Sequence, residues 1–355
     1  MFSILDRYIG KTIVSTTLLS LLVLTGLSGL IRFVEQVRSI GRGTYSMSDV
    51  LAYVLLNIPR DIEMFFPMAT LLGGLIGMGL LASNSELTVM LSAGRSRLQL
   101  IGSAMKSAIL MMLAVLALGE WLAPQLETEA RQLRSSEISG GSLIRGEQGI
   151  WARDGAYFVH ISQAEDTGRL NNIAIYEFSG RHLQQVVRGA EAVYREDAWV
   201  VMDARQTIMG ESQLQHHQHE QWRWESELTP DKLGVVTVRP ESLPISGLRD
   251  YIGYLEANNQ DTSRYELAFW RKILAPLTVA VMLLVALAFI FGPLRTVTMG
   301  ARVLMGVITG FAFYMIDEVF GPVSQVYQVP PLLGALLPGV IFASMALYLL
   351  TRRRV

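Results

Sequence analysis

The stretch Ala82–Leu100, ASNSELTVMLSAGRSRLQL, lies between two long apolar runs, and its reading decides how the chain is folded. An uncharged run of about twenty residues, enough to cross a bilayer core, ends inside it, and another begins before it is over. A segment this short between two spans is a loop held against one membrane face. The loop is nevertheless patterned like a helix: Ser83 and Glu86 have capping-box spacing, Leu87, Met90 and Leu91 share a face, and Gly94 is placed to stop it. This predicts a short amphipathic helix over residues 83–94. Helices that lie on a membrane surface are rich in Lys and Arg on their polar face, and residues 83–94 contain neither. The pattern therefore favours a helix whose apolar face seats in a groove on a partner, with Glu86 pairing to a basic residue there, over a helix that only rests on the bilayer.

Working outward, the chain of 355 residues is 51% hydrophobic and only 17% charged, which is the composition of a membrane protein. Six apolar runs are long enough to span: Thr12 to Ile31, Met64 to Ser85, Leu98 to Ala123, Ile273 to Leu294, Val303 to Phe320 and Pro331 to Leu350. The second carries Gly73, Gly74, Gly77 and Gly79, small residues that let another helix approach closely. Six spans place both termini on one side. That side also holds Arg7, Lys11, Arg95, Arg97, Lys106, Arg295, Arg302 and the terminal Arg352, Arg353 and Arg354, against Asp6 and Glu86, so the positive-inside rule makes it cytoplasmic. The first span is too long for a signal-peptide core, and no A-x-A site follows it.

Between the third and fourth spans lies the only long polar stretch, placed by this topology outside the cytoplasm. AYFVHISQ, NIAIYEF, QQVVRGAEAVYRE and WVVMDARQTIM alternate or are rich in β-branched residues, and Gly, Asn and Asp turns separate them. The expected architecture is an α-helical membrane protein of six transmembrane helices with an external all-β sandwich or roll inserted between helices 3 and 4. Its divisions are 1–123 (spans one to three with the cytoplasmic helix), 124–271 (the β domain with a helical exit from PISGLRDYIGYLEANNQ) and 272–355 (spans four to six). Asp261 or Thr262 is expected to cap the helix entering span four. The external stretch has more acidic than basic residues and is no nucleic-acid binder.

Catalytic and cofactor motifs are missing. The chain has no cysteine, which removes thiol chemistry and thiolate metal sites. YIGKT lacks the earlier glycine of a phosphate loop, since that position is Leu5. His216, His217 and His219 lack a second ligand pair at a defined spacing and read as a solvated loop. The chain is expected to be no enzyme. Asp317 and Glu318 in span five and Glu120 at the end of span three read more readily as interfacial anchors than as proton carriers, although an ionisable residue in a span always raises the second possibility.

LDRYIGKT, FFPMATLLGGLIGMGLLASNSELTVMLSAG, GEWLAPQ, LTPDKLGVV, FIFGPLRTVTMGARV, DEVFGP and PPLLGALLP occur in an order that resembles the LptF/LptG family of lipopolysaccharide export permeases, the LptG branch in particular, over nearly the whole chain. The resemblance implies a periplasmic β-jellyroll and a permease subunit of an ABC transporter that extracts lipopolysaccharide from the bacterial inner membrane and passes it to a periplasmic bridge. The implied partners are the sister permease LptF, a dimer of the ATPase LptB, and LptC; ATP and Mg are bound by the ATPase, and this chain needs no cofactor. Glu86, Leu87, Met90 and Leu91 then belong to the coupling helix. Spans one and five line a lipid cavity, and Arg32, Arg38, Arg131 and Arg134 match basic residues that meet lipid phosphates. Ser39 stands where a further lysine is expected, with Arg42 nearby as a substitute. A proton-driven transporter using Asp317, Glu318 or Glu120, and an ATPase-coupled signalling permease with no lipid cavity, are the alternative readings.

Overall fold

Helices α1 (Ile4–Val37) and α2 (Met47–Ser83) form the first hairpin, α3 (Glu86–Ser92) is the short loop helix, and α4 (Arg97–Ala117) passes through a π-helical turn, Leu118–Leu122, into α5 (Ala123–Ser139). After the sheet come α6 (Ile245–Ala257), α7 (Ser263–Phe291), α8 (Met299–Val326) and α9 (Pro331–Thr351). The computed structural model describes residues 3–139, 150–165, 168–180, 182–210, 213–226, 228–230, 240–292 and 297–351. Arg295 and the terminal arginines of the charge count, and much of LTPDKLGVV and FGPLR, lie outside the described residues.

Six helices are long and apolar enough to cross a membrane, and they are the six expected: α1, α2, α4 continued by α5, α7, α8 and α9. Two are longer than their apolar runs. At 1.5 Å per residue, α1 and α2 reach about 50 Å, well beyond a hydrocarbon core of about 30 Å. The first turns of α2 carry Asp49, Arg60, Asp61 and Glu63, which a search for uncharged windows leaves outside the span. The helical part after span three likewise runs on to Ser139, beyond the expected division at residue 123.

The glycines of α2 set how the bundle packs. A Cβ on Gly73 would lie 2.4 Å from the Cα of Thr17 on α1, and one on Gly77 would lie 2.8 Å from Thr16 Oγ1. On Gly74 it would meet Ala286 of α7 at 2.8 Å, and on Gly79 the guanidinium of Arg302 on α8 at 3.1 Å. The expectation that these small residues admit a neighbouring helix holds, and they admit three. Thr16 donates its hydroxyl to the Gly73 carbonyl at 2.7 Å, a hydrogen bond across the α1–α2 contact where backbones come closest. Arg302 donates to the Gly79 carbonyl at 3.0 Å from the other side. Two glycines of α8 complete the pattern, Gly306 against Leu75 and Gly310 against Met68. The buried core runs through Ile9, Ile13, Leu71, Leu75, Met78, Leu100, Met282 and Leu287.

The inserted domain is a six-stranded antiparallel sheet: β1 (Ile150–Asp154), β2 (Tyr157–Glu165), β3 (Arg169–Ser179), β4 (His182–Arg195), β5 (Ala198–Met209) and β6 (Leu214–Trp224), paired in sequence order. Neighbours in the sheet are neighbours in sequence, so its described strands form an up-and-down meander. One face buries Val159, Ile161, Ile173, Ile175, Val187 and Val201 against Tyr251, Tyr254 and Leu255 of α6. Trp199 is fully buried, with its indole N–H donating to the Leu228 carbonyl at 2.6 Å. Asn258 Oδ1 accepts from the Gly155 amide at 2.8 Å, and Tyr254 donates to the Arg153 carbonyl at 2.8 Å, so the exit helix is fastened to the β1–β2 turn. The histidine segment is edge strand β6 rather than a loop: His216 Nδ1 lies 3.1 Å from Thr207 Oγ1 and His219 Nε2 lies 2.8 Å from Gln206 Oε1. Alternation was hidden there because both faces of this strand are polar.

At the entry to α7, Thr262 is the residue before the helix but its side chain caps no amide; of the two expected residues Asp261 does so, its Oδ1 accepting from the Ser263 amide at 3.0 Å. Those contacts with Ser263 hold the Asp261 carboxyl below its ordinary range. The α2 packing gives a direct test. Gly73→Leu should destabilise the protein by ~2–3 kcal/mol or more and lower its melting temperature in detergent, because the branch enters the α1 backbone. Gly102→Leu, with nothing within 4 Å of its Cβ, should leave that melting temperature near wild type.

Candidate functional site: the loop helix and the charged end of the bundle

The loop helix is built differently from its expected form. α2 continues through Ser83, whose hydroxyl bonds back to the Leu80 carbonyl at 2.9 Å, so the Ser83–Glu86 capping box does not form. Asn84 and Ser85 make the turn, with Ser85 in the left-handed region at φ 63°. The box in this loop is Ser96–Gln99 at the start of α4, where Gln99 N donates to Ser96 Oγ at 3.2 Å and Ser96 N donates to Gln99 Oε1 at 3.0 Å. Gly94 does stop α3: at φ +88° it donates to the Leu91 carbonyl at 3.1 Å while Arg95 N donates to Met90 at 3.2 Å, the paired bonds of a Schellman stop.

The apolar face of α3 is occupied by this chain itself. Leu87 is 5% exposed inside the core of the bundle, and Met90 and Leu91 pack against that core. The expected partner-facing side is therefore turned inward, and the outward side consists of Thr88, Val89 and Ser92, with Val89 63% exposed. Amphipathicity identified the helix but not what covers its apolar face. Glu86 Oε2 accepts the hydroxyl of Tyr8 on α1 at 2.7 Å, which ties α3 to the first helix.

At the opposite end of α1 and α2, the four expected arginines fall on helices that flank α2. Arg32 of α1 lies 2.5 Å from Asp61 of α2, and Arg38 is exposed at the C-terminal cap of α1. Arg131 of α5 is bonded to Glu127 and reaches Ser242 Oγ at 2.6 Å, and the Arg134 guanidinium stands 6.0 Å from the centre of the Tyr53 ring. Arg42 is exposed and Ser39 is buried.

Sequence reading missed the acids and the two further cations that complete this end. Arg60 pairs with Glu63 at 2.8 Å and lies 3.8 Å from Glu127. Lys272 of α7, 8% exposed, lies 3.6 Å from Glu63 and donates to the Gly119 carbonyl at 3.0 Å. Gly119 sits in the π-helical turn, and a Cβ there would be 2.7 Å from Glu63 Oε1. One signal was legible: RDIE, residues 60–63, puts three charges in four residues beside an apolar run, where charges need partners.

Two of the three acids singled out in the spans are engaged as well. Glu120 accepts from the amide of Ile245 at 2.8 Å and from the Ser246 hydroxyl at 3.2 Å, so a carboxylate from one helix caps the positive N-terminus of α6, which has no side-chain cap of its own. Asp317 lies 3.5 Å from Arg271 Nη2, and that guanidinium also donates to the Asp317 carbonyl. Glu318 is exposed. Among the described residues no group of three His, Asp or Glu side chains is placed to hold a metal ion.

Comparison with known sequences matches this geometry to one family. Residues 7–352 match the family described as lipopolysaccharide export system permease LptF/LptG. The lipopolysaccharide export system permease protein LptG of Escherichia coli strain K12 is 46% identical over 99% of both chains, and that of Haemophilus influenzae strain Rd is 45% identical over 100% of both. Six membrane helices around a glycine-lined second helix, a short loop helix at one end and an inserted antiparallel sheet at the other are thus the architecture of a chain that belongs to the LptF/LptG family of lipopolysaccharide export permeases.

Proposed function

We propose that this chain is the transmembrane subunit through which a separate ATPase drives lipopolysaccharide out of the inner membrane and toward a periplasmic bridge. Its partners in this reading are the sister permease LptF, an LptB dimer that binds ATP and Mg, and LptC, and the chain itself carries no cofactor. Both termini and α3 are cytoplasmic in this reading, and the sheet is periplasmic; the distribution of Arg and Lys around the spans supports it. One observation carries the coupling role. Leu87 seats α3 in the bundle and Glu86 bonds it to Tyr8, so a load on the outer side of α3 reaches α1 and α2 together.

Lipid needs an apolar route, because each CH₂ moved into water costs about 0.8 kcal/mol and several acyl chains together cost tens. Exposed apolar faces on α1 and α8 support that route. α1 exposes Leu18, Leu22 and Leu30, and α8 exposes Leu304, Ile308 and Phe311, on helices that pack on different glycines of α2. In the proposed cycle lipid enters beside α1 and α8, its phosphates meet Arg32, Arg38, Arg131 and Arg134, and closure driven from α3 moves it toward the sheet. The proton-driven and signalling readings have no support from the relatives, all of them export permeases. Glu120 and Asp317 are already committed to the α6 amides and to Arg271.

Glu86→Ala and Val89→Asp, assayed by co-purification with the sister permease and the ATPase, should each lower ATPase retention or lipid-stimulated hydrolysis by about tenfold, equivalent to about 1.4 kcal/mol of contact energy, while membrane insertion persists. Full retention with normal export in both variants would count against coupling through α3. Arg32→Ala combined with Arg38→Ala should reduce photocrosslinking to lipopolysaccharide several-fold without loss of the ATPase; unchanged crosslinking would remove the phosphate role.

A further inference from the structure

Arg32 is already held by an anion. Its Nη2 lies 2.5 Å from Asp61 Oδ1, and Ser28, one helical turn earlier on α1, donates its hydroxyl to Asp61 Oδ2 at 3.1 Å. The two partners are unequally covered: Asp61 is 2% exposed, whereas the Arg32 side chain keeps 26%. The carboxylate is thus fixed in the interior and the guanidinium stands at the boundary. Arg60, next to Asp61 in sequence, turns to Glu63 and Glu127, so among the described residues Arg32 is the cation within ion-pair distance of Asp61.

A carboxylate and a phosphate present the same feature to a guanidinium, a pair of anionic oxygens matching its planar fork. We infer that Asp61 is a positioning residue for lipid binding. It holds Arg32 in the pose that receives a lipid phosphate, and it competes with that phosphate for the same donors. The inference rests on the phosphate role proposed for Arg32 and adds what limits it. A half-buried guanidinium with no resident anion would hold a phosphate tightly, and a transporter has to release its cargo each cycle. With Asp61 in place binding becomes an exchange, and apparent affinity falls with the fraction of Arg32 that is free. Ser28 and Arg32 sit on α1 and Asp61 on α2, so the strength of the competitor depends on how those helices are aligned.

The test uses the full chain assembled with the sister permease and the ATPase in nanodiscs. Affinity is measured for lipopolysaccharide and for the same lipid with its phosphates removed, in wild type, Asp61→Asn, Asp61→Ser and Arg32→Gln, together with ATP-driven release. Asp61→Asn should bind the phosphorylated lipid about tenfold more tightly, a change of about 1.4 kcal/mol, leave the dephosphorylated lipid unchanged and slow release. A merely structural tie would lower both affinities together, and that result, or no change, overturns the inference. Asp61→Ser removes the charge while keeping a partner for Ser28 and reads the same quantity if the Asn variant does not assemble; failure of both to assemble identifies a structural tie and also overturns it. Arg32→Gln separates the two layers. If it leaves the preference for phosphorylated lipid undiminished, the phosphate role of Arg32 fails; if it reduces that preference while the Asp61 variants bind no tighter, only the competition fails.

Discussion

Four glycines within seven residues of α2 let three other helices touch its backbone, and the rest of the membrane part is arranged around that contact. In a bilayer the apolar faces of helices gain little by leaving lipid, so association depends on how closely the backbones pack and on the hydrogen bonds that closeness permits. Thr16 to the Gly73 carbonyl and Arg302 to the Gly79 carbonyl are such bonds, one from each side of α2. α1 and α8 are therefore both referenced to a single helix while keeping apolar outer faces. That suits the proposed cycle, in which lipid enters beside these two helices and they move against a fixed neighbour.

The charged end of the bundle obeys a different rule. Buried ions there cost several kcal/mol each unless they are paired, and five of them form a continuous set beside the Arg32–Asp61 pair: Arg60, Glu63, Lys272, Glu127 and Arg131 link α2, α5 and α7. Glu120 joins the same end to the exit of the sheet through the α6 amides. Glu120 and Asp317, acids that a transport reading first notices, are thus structural partners, and Arg32 and Arg131 are positioned by carboxylates before any lipid arrives.

Hydropathy made the six spans legible, because a run of about twenty uncharged residues is long enough to cross the bilayer core and too apolar to face water, and alternation made most of the strands legible. β6 escaped because QHHQHEQ is polar on both faces of an edge strand. The loop helix was visible from Leu87, Met90, Leu91 and Gly94, but a capping box needs only two residues at the right spacing, and this loop offers it twice; where α2 ends decides which pair forms. Arg32 could be picked from sequence as the first charge after an apolar run. Asp61 could not be matched to it, since 29 residues separate them and only the packing of α1 on α2 brings them together.

The π-helical turn at Leu118–Leu122 adds a residue to a helix that otherwise continues from Arg97 to Ser139. Its effect is one of phase. Each residue turns an α-helix by about 100°, so removing one to restore regular winding would rotate all of α5 by that amount against α4. Glu127, Arg131 and Arg134 would swing off the face that meets Arg60, Ser242 and Tyr53. Chain length in this turn is therefore a determinant of where the charges of α5 point, and a single-residue deletion there would be more disruptive than most substitutions of the charges themselves.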